Sequence, residues 1–578
     1  MRAFHSSVVV LGLCGALGCT STPDGDSAPA PQERSATTES HLGNRFPVTA
    51  NGSQLYAGGE PFLYLADTAW MLPAAASDSD AETYLAKRAS QGFTVIQMYL
   101  TRWGGDCNPD DNGYWSHVDT IVGMARAHGL VVSIDPGEAA SLGARYGSQA
   151  YCLGERASRQ LAHYDNVMWF VGGDESPSTA GLDNTRAMVN GIREHDASHI
   201  ISFHGALDAN VPGNALAGYA PILGEGWLGF TMSYDASYFY GSRQNYVMTY
   251  GLRGRGLPIV LAESEYEGMF SALEVRQPHY WSLFAGGVGG AFGNVSTMNM
   301  LDAPGWLDAL DSPGAWQMSF LRTFATKYPW FKYVPDNSVV TGGGGTYGQG
   351  DFVTAAVAND DSFIVAYLPT SRSLTVKANR LGTSVDAQWF DPTTGVFTTV
   401  NGSPFDTTNP VTLPAPPTSG GDMVLALTPA SGGGGGGGAR LEASCVPNTI
   451  YSADNQVLDA RGVSSANGTR VQVWKIHGNV NQYFAFAGDG SIRGMDNTCL
   501  DVSGIQTADN TPVQLWQCWG GPNEQWSYHP DGTIRGLAGK CLDLEGGGTA
   551  DGTGAVLYTC NGSASQQWRV CTSEGKFR

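Results

Sequence analysis

Two segments place carboxyl groups where they could carry acid–base and nucleophilic chemistry. Val171-Gly-Gly-Asp174-Glu-Ser-Pro177 ends an apolar run with two glycines, which let the backbone turn tightly and bring Asp174 to a rim. Leu261-Ala-Glu263-Ser-Glu-Tyr-Glu267 presents Glu263 at the end of another apolar run. A carboxylic acid that protonates a leaving oxygen, facing a carboxylate that attacks or activates water, is the pair that cleavage of a glycosidic acetal requires. A separation of about 5–5.5 Å implies retention through a covalent intermediate, and a wider gap implies inversion. Other assignments stay open. Asp174 could cap the helix that follows, Glu175 is a rival acid, and Glu263 could pair with a barrel arginine such as Arg276.

Such a pair needs a scaffold that brings distant strand ends together. Eight short apolar runs recur between Phe46 and about Pro335, at residues 62–67, 93–99, 130–135, 167–171, 199–204, 230–234, 258–263 and 288–293. Helix-like stretches such as Asp80 to Gln91 and His117 to His128 separate them. Runs apolar throughout suit strands buried on both faces of a parallel sheet. Eight of them predict a (β/α)8 TIM barrel, preferred over a doubly wound sheet because no Gly-rich phosphate loop follows the first run.

In such a barrel the C-terminal strand ends face the active site. The polar residues expected there are Asp67, Tyr99, Asp135, Asp174, His204, Tyr234, Glu263 and Asn294. Asp67 and Trp70 suggest a sugar-contacting pair, a carboxylate for hydroxyls beside an aromatic face for stacking. The candidate substrate contacts are Asp67, Trp70, Gln97, Tyr99, His204, Tyr234, Glu267 and Asn294, with Glu267 expected to orient its neighbours. His204 lacks a second metal ligand at helical spacing, so hydrogen bonding to substrate is the expectation. Cys107 and Cys152 fall in candidate loops and could pair.

From Asn337 to Pro429 the pattern turns alternating and turn-rich, which predicts a small antiparallel β-sandwich. Ser431 and the seven glycines Gly432 to Gly438 form a linker with about 15–20 Å of slack. Beyond it lies an internal repeat. Phe484, Trp526 and Trp568 are 42 residues apart, as are Asp459, Asp501 and Asp543, and Trp474, Trp516 and Tyr558.

The chain has 578 residues, enough for roughly two to four domains. A formal charge of −21 argues against nucleic acid or an anionic membrane as the main partner. Arg2 and His5 precede an apolar run, Val8 to Gly18, of signal-peptide length. It ends in Ala16-Leu17-Gly18-Cys19, similar to a bacterial lipobox with Cys19 as the lipidated residue; the alternative is an ordinary cleaved signal peptide. Thr20 to Arg45 has the composition of a disordered tether. Eight cysteines remain beyond the leader, and an even set in an oxidising compartment points to disulfides. The expected boundaries are 1–19 leader, 20–45 tether, 46–336 barrel, 337–429 sandwich, 430–439 linker and 440–578 repeat module.

The repeat module resembles a ricin-type β-trefoil of carbohydrate-binding module family 13 over about Leu441 to Cys571. The resemblance implies disulfides Cys499–Cys518, Cys541–Cys560 and Cys445–Cys571. It also implies three sugar sites: Asp459, Trp474, Asn481 and Gln482; Asp501, Trp516 and Asn523, with Glu524 replacing Gln; and Asp543, Tyr558 and Gln566, with Ser565 replacing Asn. The set Phe62-Leu-Tyr-Leu-Ala-Asp-Thr-Ala-Trp70, Gly92 to Gln97, Gly172-Gly-Asp174, Ser202-Phe-His204, Glu263 to Glu267 and Leu310 to Gly314 is similar to the apiosidase-like glycosidases, glycoside hydrolase family 140. That resemblance covers about Phe46 to Leu427 and implies Asp174 as acid/base and Glu263 as nucleophile of a retaining enzyme. Ala262-Glu263-Ser264 departs from the family's Gly-Glu-Pro, and Gly289-Gly-Ala-Phe-Gly293 from its Gly-His-Thr-Tyr-Gly, which puts apiose specificity in doubt. No metal or organic cofactor is implied, the expected partner is a polysaccharide, and the expected state is a monomer. The alternatives are a silent surface lectin or adhesin, and an inverting or endo-acting enzyme.

Overall fold

The computed structural model describes residues 46–100, 112–137, 147–173, 179–205, 221–234, 245–299, 305–416, 421–430, 448–476, 480–495 and 498–571. Asp174, Glu175, Cys19, Cys107, Cys445, the tether and the glycine linker lie outside them.

Eight parallel strands close into a barrel. They are β1 (Tyr64–Thr68), β2 (Val95–Tyr99), β3 (Val131–Asp135), β4 (Val167–Gly172), β5 (Ile201–His204), β6 (Leu228–Tyr234), β7 (Ile259–Glu263) and β8 (Gly289–Asn294). Each pairs with the next, and β8 returns to β1 with Phe292 opposite Asp67. All eight apolar runs of the sequence therefore lie in the barrel. They are continuous because helices cover one face of each strand and barrel side chains fill the other.

Two glycines permit the closure. A methyl on Gly172 would sit 2.3 Å from the carbonyl oxygen of His204, and one on Gly289 2.1 Å from that of Tyr64. Both also hold φ near +133°, a region that side chains disfavour. Outside the barrel lies a three-stranded antiparallel sheet over residues 48–61 that the sequence pattern did not announce. Its strands have two to four residues each, too short to show alternation.

The sandwich follows, a seven-stranded sheet against a three-stranded one. Ile364, Leu374, Val376, Trp389, Leu413 and Leu425 fill the space between them. Its outer face packs on helix α1 (Ala272–Phe284), where Tyr280 stacks on Tyr367 at 5.1 Å, and on helix α2 (Pro313–Lys327). A Ser271–Glu274 capping box starts α1, which explains why a polar pair precedes so apolar a helix. Arg276 of α1 donates to Asp422 of the sandwich, which also accepts from Tyr367 at 2.8 Å. Arg276 is thus committed there and not to Glu263.

The third region is a β-trefoil. The repeats share one register, with Asp459 opposite Gln472, Asp501 opposite Gln514 and Asp543 opposite Val556. Phe484, Trp526 and Trp568 meet in the common core. The indoles of Trp526 and Trp568 donate to Leu500 and Leu542 carbonyls at 2.8 and 2.9 Å. A second set at the same interval closes the ring of repeats: Asn467 accepts from the Gln517 amide, Asp509 from Thr559 and Asp551 from Lys475. The Cys499–Cys518 and Cys541–Cys560 disulfides are formed, each with a Cα–Cα distance of 5.1 Å. Cys152 and Cys571 are also disulfide-bonded.

Removing one partner of a buried ion pair strands the other charge, at a cost of roughly 3–5 kcal/mol. Asp422→Ala is therefore expected to lower the stability of the barrel–sandwich unit by about that amount in urea denaturation, with the trefoil transition unchanged. A loss under 1 kcal/mol would show that Arg276 finds other partners.

Candidate active site

The C-terminal end of the barrel gathers Trp70, Tyr99, Phe170, His204, Tyr234, Glu263 and Tyr266. Trp70 stacks on Tyr99 at 4.7 Å and on His204 at 5.9 Å between ring centroids. Phe170 meets the edges of Trp70 and His204, and Tyr234 lies 5.6 Å from His204. Beside this aromatic floor the Glu263 side chain keeps 11% exposure. Its Oε1 accepts the Tyr266 hydroxyl, and its Oε2 lies 3.5 Å from His204 Nε2, beyond good hydrogen-bond distance.

The direction of the first bond follows from its neighbour. Trp70 Nε1 lies 2.6 Å from the Tyr266 oxygen. An indole nitrogen only donates, so Tyr266 accepts from Trp70 and aims its own proton at Glu263. Burial, and then the charge of Glu263, push the Tyr266 phenol well above its usual range, which keeps it a neutral donor. The arrangement holds the Glu263 carboxyl group in one orientation with its second oxygen turned toward the aromatic floor.

Four expected substrate contacts serve other purposes. Asp67 is fully buried and faces the helix layer, where Tyr84 and Arg88 donate to it. Arg88 in turn donates to Gln91 and the Leu310 carbonyl. Side chains alternate along a strand, so Tyr64 and Ala66 point into the barrel and Asp67 away from it. Gln97 shares the inward face with Tyr99 but lies one layer deeper, bridging the Tyr64 hydroxyl and the Ala262 carbonyl at 2.9 and 3.0 Å. Glu267 accepts from the Gly314 amide at 2.8 Å, where its charge suits the start of α2. Asn294 accepts from the Ser296 amide at 2.9 Å and caps the turn after β8. Tyr266 was missed because a phenol three residues past a glutamate carries no periodic signal. Asp174, the expected acid, is outside the described residues.

In the trefoil the first repeat has the most complete polar pocket. Asp459 accepts from Gln472, Asn481 and Gln482 at 2.8–3.1 Å, and Trp474 stands 39% exposed beside it. A cavity of about 640 Å³ opens there, lined in part by Arg461 and Asp551. In the second repeat Asp501 accepts from Gln514 and Asn523, but Glu524 can only accept, and does so from the Trp519 and Gly520 amides. In the third, Gln566 donates to Asp543, Val556 replaces the opposing glutamine, and Ser565 bonds Ser563 instead.

Comparison with known proteins decides the class. Residues 49–332 match the family model of the apiosidase-like catalytic domain. These residues form an apiosidase-like catalytic domain, and the chain is a glycosidase. Residues 334–428 of the glycosidase match a collagen-binding-like domain of a collagenase, and residues 447–568 the ricin-type beta-trefoil lectin domain. Its barrel and sandwich share a fold with a glycoside hydrolase family 5 structure from Bacteroides vulgatus, at 21% identity and TM-score 0.57, over 67% of this chain and 94% of that one. A structure described as a glycoside hydrolase gives 23% and 0.56, over 68% and 98%. No curated protein matches the chain at a significant level.

The second trefoil repeat of the glycosidase generates a test. Burial, reinforced by the charge of Glu524, pushes the Asp501 carboxyl up to about 6. A carboxyl whose folded pKa exceeds its unfolded value takes up a proton on folding, so stability falls as pH rises between about 4 and 6. Glu524→Gln removes the like charge and supplies a donor, as Gln482 and Gln566 do. The Asp501 midpoint, followed by carboxyl carbon NMR, should fall by about one unit. A midpoint still near 6 would assign the shift to burial alone.

Proposed function

We propose that this glycosidase is a secreted, retaining enzyme of glycoside hydrolase family 140, exo-acting or debranching on a plant or microbial polysaccharide, with its family 13 trefoil binding the polymer. The Trp70–Tyr266–Glu263 chain carries the reading, because it orients one carboxylate at the barrel mouth beside an aromatic floor. Trp70 and Tyr99 offer stacking faces, while His204 and Tyr234 line the same end and supply polar atoms.

In the first step Glu263 Oε2 forms a bond to the anomeric carbon as the bond to the leaving oxygen breaks, and Asp174 gives that oxygen its proton. Tyr266 keeps Oε1 hydrogen-bonded while negative charge leaves the nucleophile. In the second step Asp174 takes a proton from water, the water oxygen bonds the anomeric carbon, and the Glu263 ester is released. The domain limits that go with this reading are 46–336, 337–429 and 440–578, joined by the glycine linker. Specificity for a sugar other than apiose is supported by β8, where Ala291 and Gly293 leave no polar side chain on the inward face and Tyr266 packs against Gly293.

Glu263→Gln is expected to lower sugar release from a polysaccharide panel by about 10³-fold or more, with the fold intact by circular dichroism. Proton NMR of the first-formed product should show the anomeric configuration of the substrate. Unaltered release by the variant would reject the nucleophile, and an inverted product would reject retention.

A further inference from the structure

The first trefoil repeat departs from the other two at positions that touch the barrel. Tyr483 occupies the place taken by Gln525 and Gln567 in the second and third repeats, 42 and 84 residues on. Its ring stacks on Trp316 of α2 at 4.2 Å and 7° and lies 6.4 Å from Phe320. Tyr483 is buried within the same apolar cluster as the barrel's outer helices. Ile476, which stands where the other repeats carry Cys518 and Cys560, packs against that cluster as well. Trp316 is itself fixed: its indole donates to Asp311 at 3.1 Å, and Asp311 pairs with Lys87 at 2.7 Å.

This contact falls at the active-site end of the barrel. Trp316 lies in the first turn of α2, whose Gly314 amide is held by Glu267, four residues beyond Glu263. On the trefoil side, Tyr483 directly follows Asn481 and Gln482, the residues that bond Asp459. One continuous path thus runs from Asp459 through Gln482, Tyr483, Trp316 and Gly314 to the Glu267 end of the loop that carries Glu263.

We propose that the first repeat is a docking element that fixes the trefoil on the barrel through Tyr483 and Ile476, making the Asp459–Trp474 pocket a stationary outer subsite of the enzyme and not a binder ranging on the linker. The proposal rests on reading that pocket as a sugar site. It predicts that a polymer strand spanning pocket and barrel is presented in one geometry, so that docking matters for long substrates and not for short ones.

Full-length wild type and Tyr483→Gln, which installs the residue of the sister repeats, should be compared by small-angle X-ray scattering, with Trp316→Gln as the variant on the barrel side. Wild type should be compact, and both variants should gain about 15–20 Å in maximum dimension, the reach of the linker. With a soluble polysaccharide that wild type hydrolyses, KM of the variants should rise about 5- to 10-fold. With trisaccharides released from the same polymer, KM and kcat should stay within about 2-fold. A wild type already as extended as the variants would overturn the docking. Extended variants with unchanged polymer KM would overturn the subsite, while leaving the catalytic assignment to stand on Glu263→Gln.

Discussion

The site depends on a hydrogen bond whose polarity is set by a third residue. Because Trp70 can only donate, the Tyr266 oxygen receives one proton and must direct its own at Glu263. A carboxylate so engaged is restrained to one orientation. The geometry then constrains the closing strand. A methyl on Gly293 would lie 2.5 Å from the Tyr266 ring, and one on Gly290 would lie 2.8 Å from Leu261. The glycines of β8 therefore leave the space that Tyr266, the Leu261 side chain and the β1 backbone at Tyr64 occupy.

The acids around the rim show how partners divide similar groups into different roles. Asp67 faces Arg88 and ties β1 to the loop before α2. Glu267 faces the backbone of Gly314 and anchors the start of α2. Glu263 faces a neutral phenol and retains some exposure. A buried carboxylate requires donors wherever it sits, and donors that satisfy it fully remove it from chemistry. The most open of the three has a neutral donor on one oxygen and an imidazole beyond bonding distance on the other.

The barrel was legible because strands buried on both faces must be apolar along their length, and a run such as Val131 to Ile134 has few other uses. The trefoil was legible because its buried Asp and core aromatic recur at one interval. What the chain did not disclose was direction. Asp67 and Trp70 both lie near the end of β1, yet one turns to the helices and the other to the mouth, and only the strand's phase separates them. Gln97 had the right phase and the wrong depth. Tyr266, the residue that orients Glu263, sits in a loop where no period applies.

The departures from threefold symmetry in the trefoil are not scattered at random over its surface. In the second and third repeats three of them fall around the buried aspartates: Glu524 for Gln, Val556 opposite Asp543, and Ser565 for Asn. In the first repeat the aspartate keeps its donors, and among its departures Ile476 and Tyr483 lie against the barrel, while Phe484 replaces a Trp in the trefoil core. A sugar site contributes only while substitutions preserve all its donors, since one missing donor leaves the buried aspartate underpaired. The repeat that touches the catalytic barrel is thus the one whose aspartate keeps its full set of donors, the pattern expected where a pocket is useful because of where it is held.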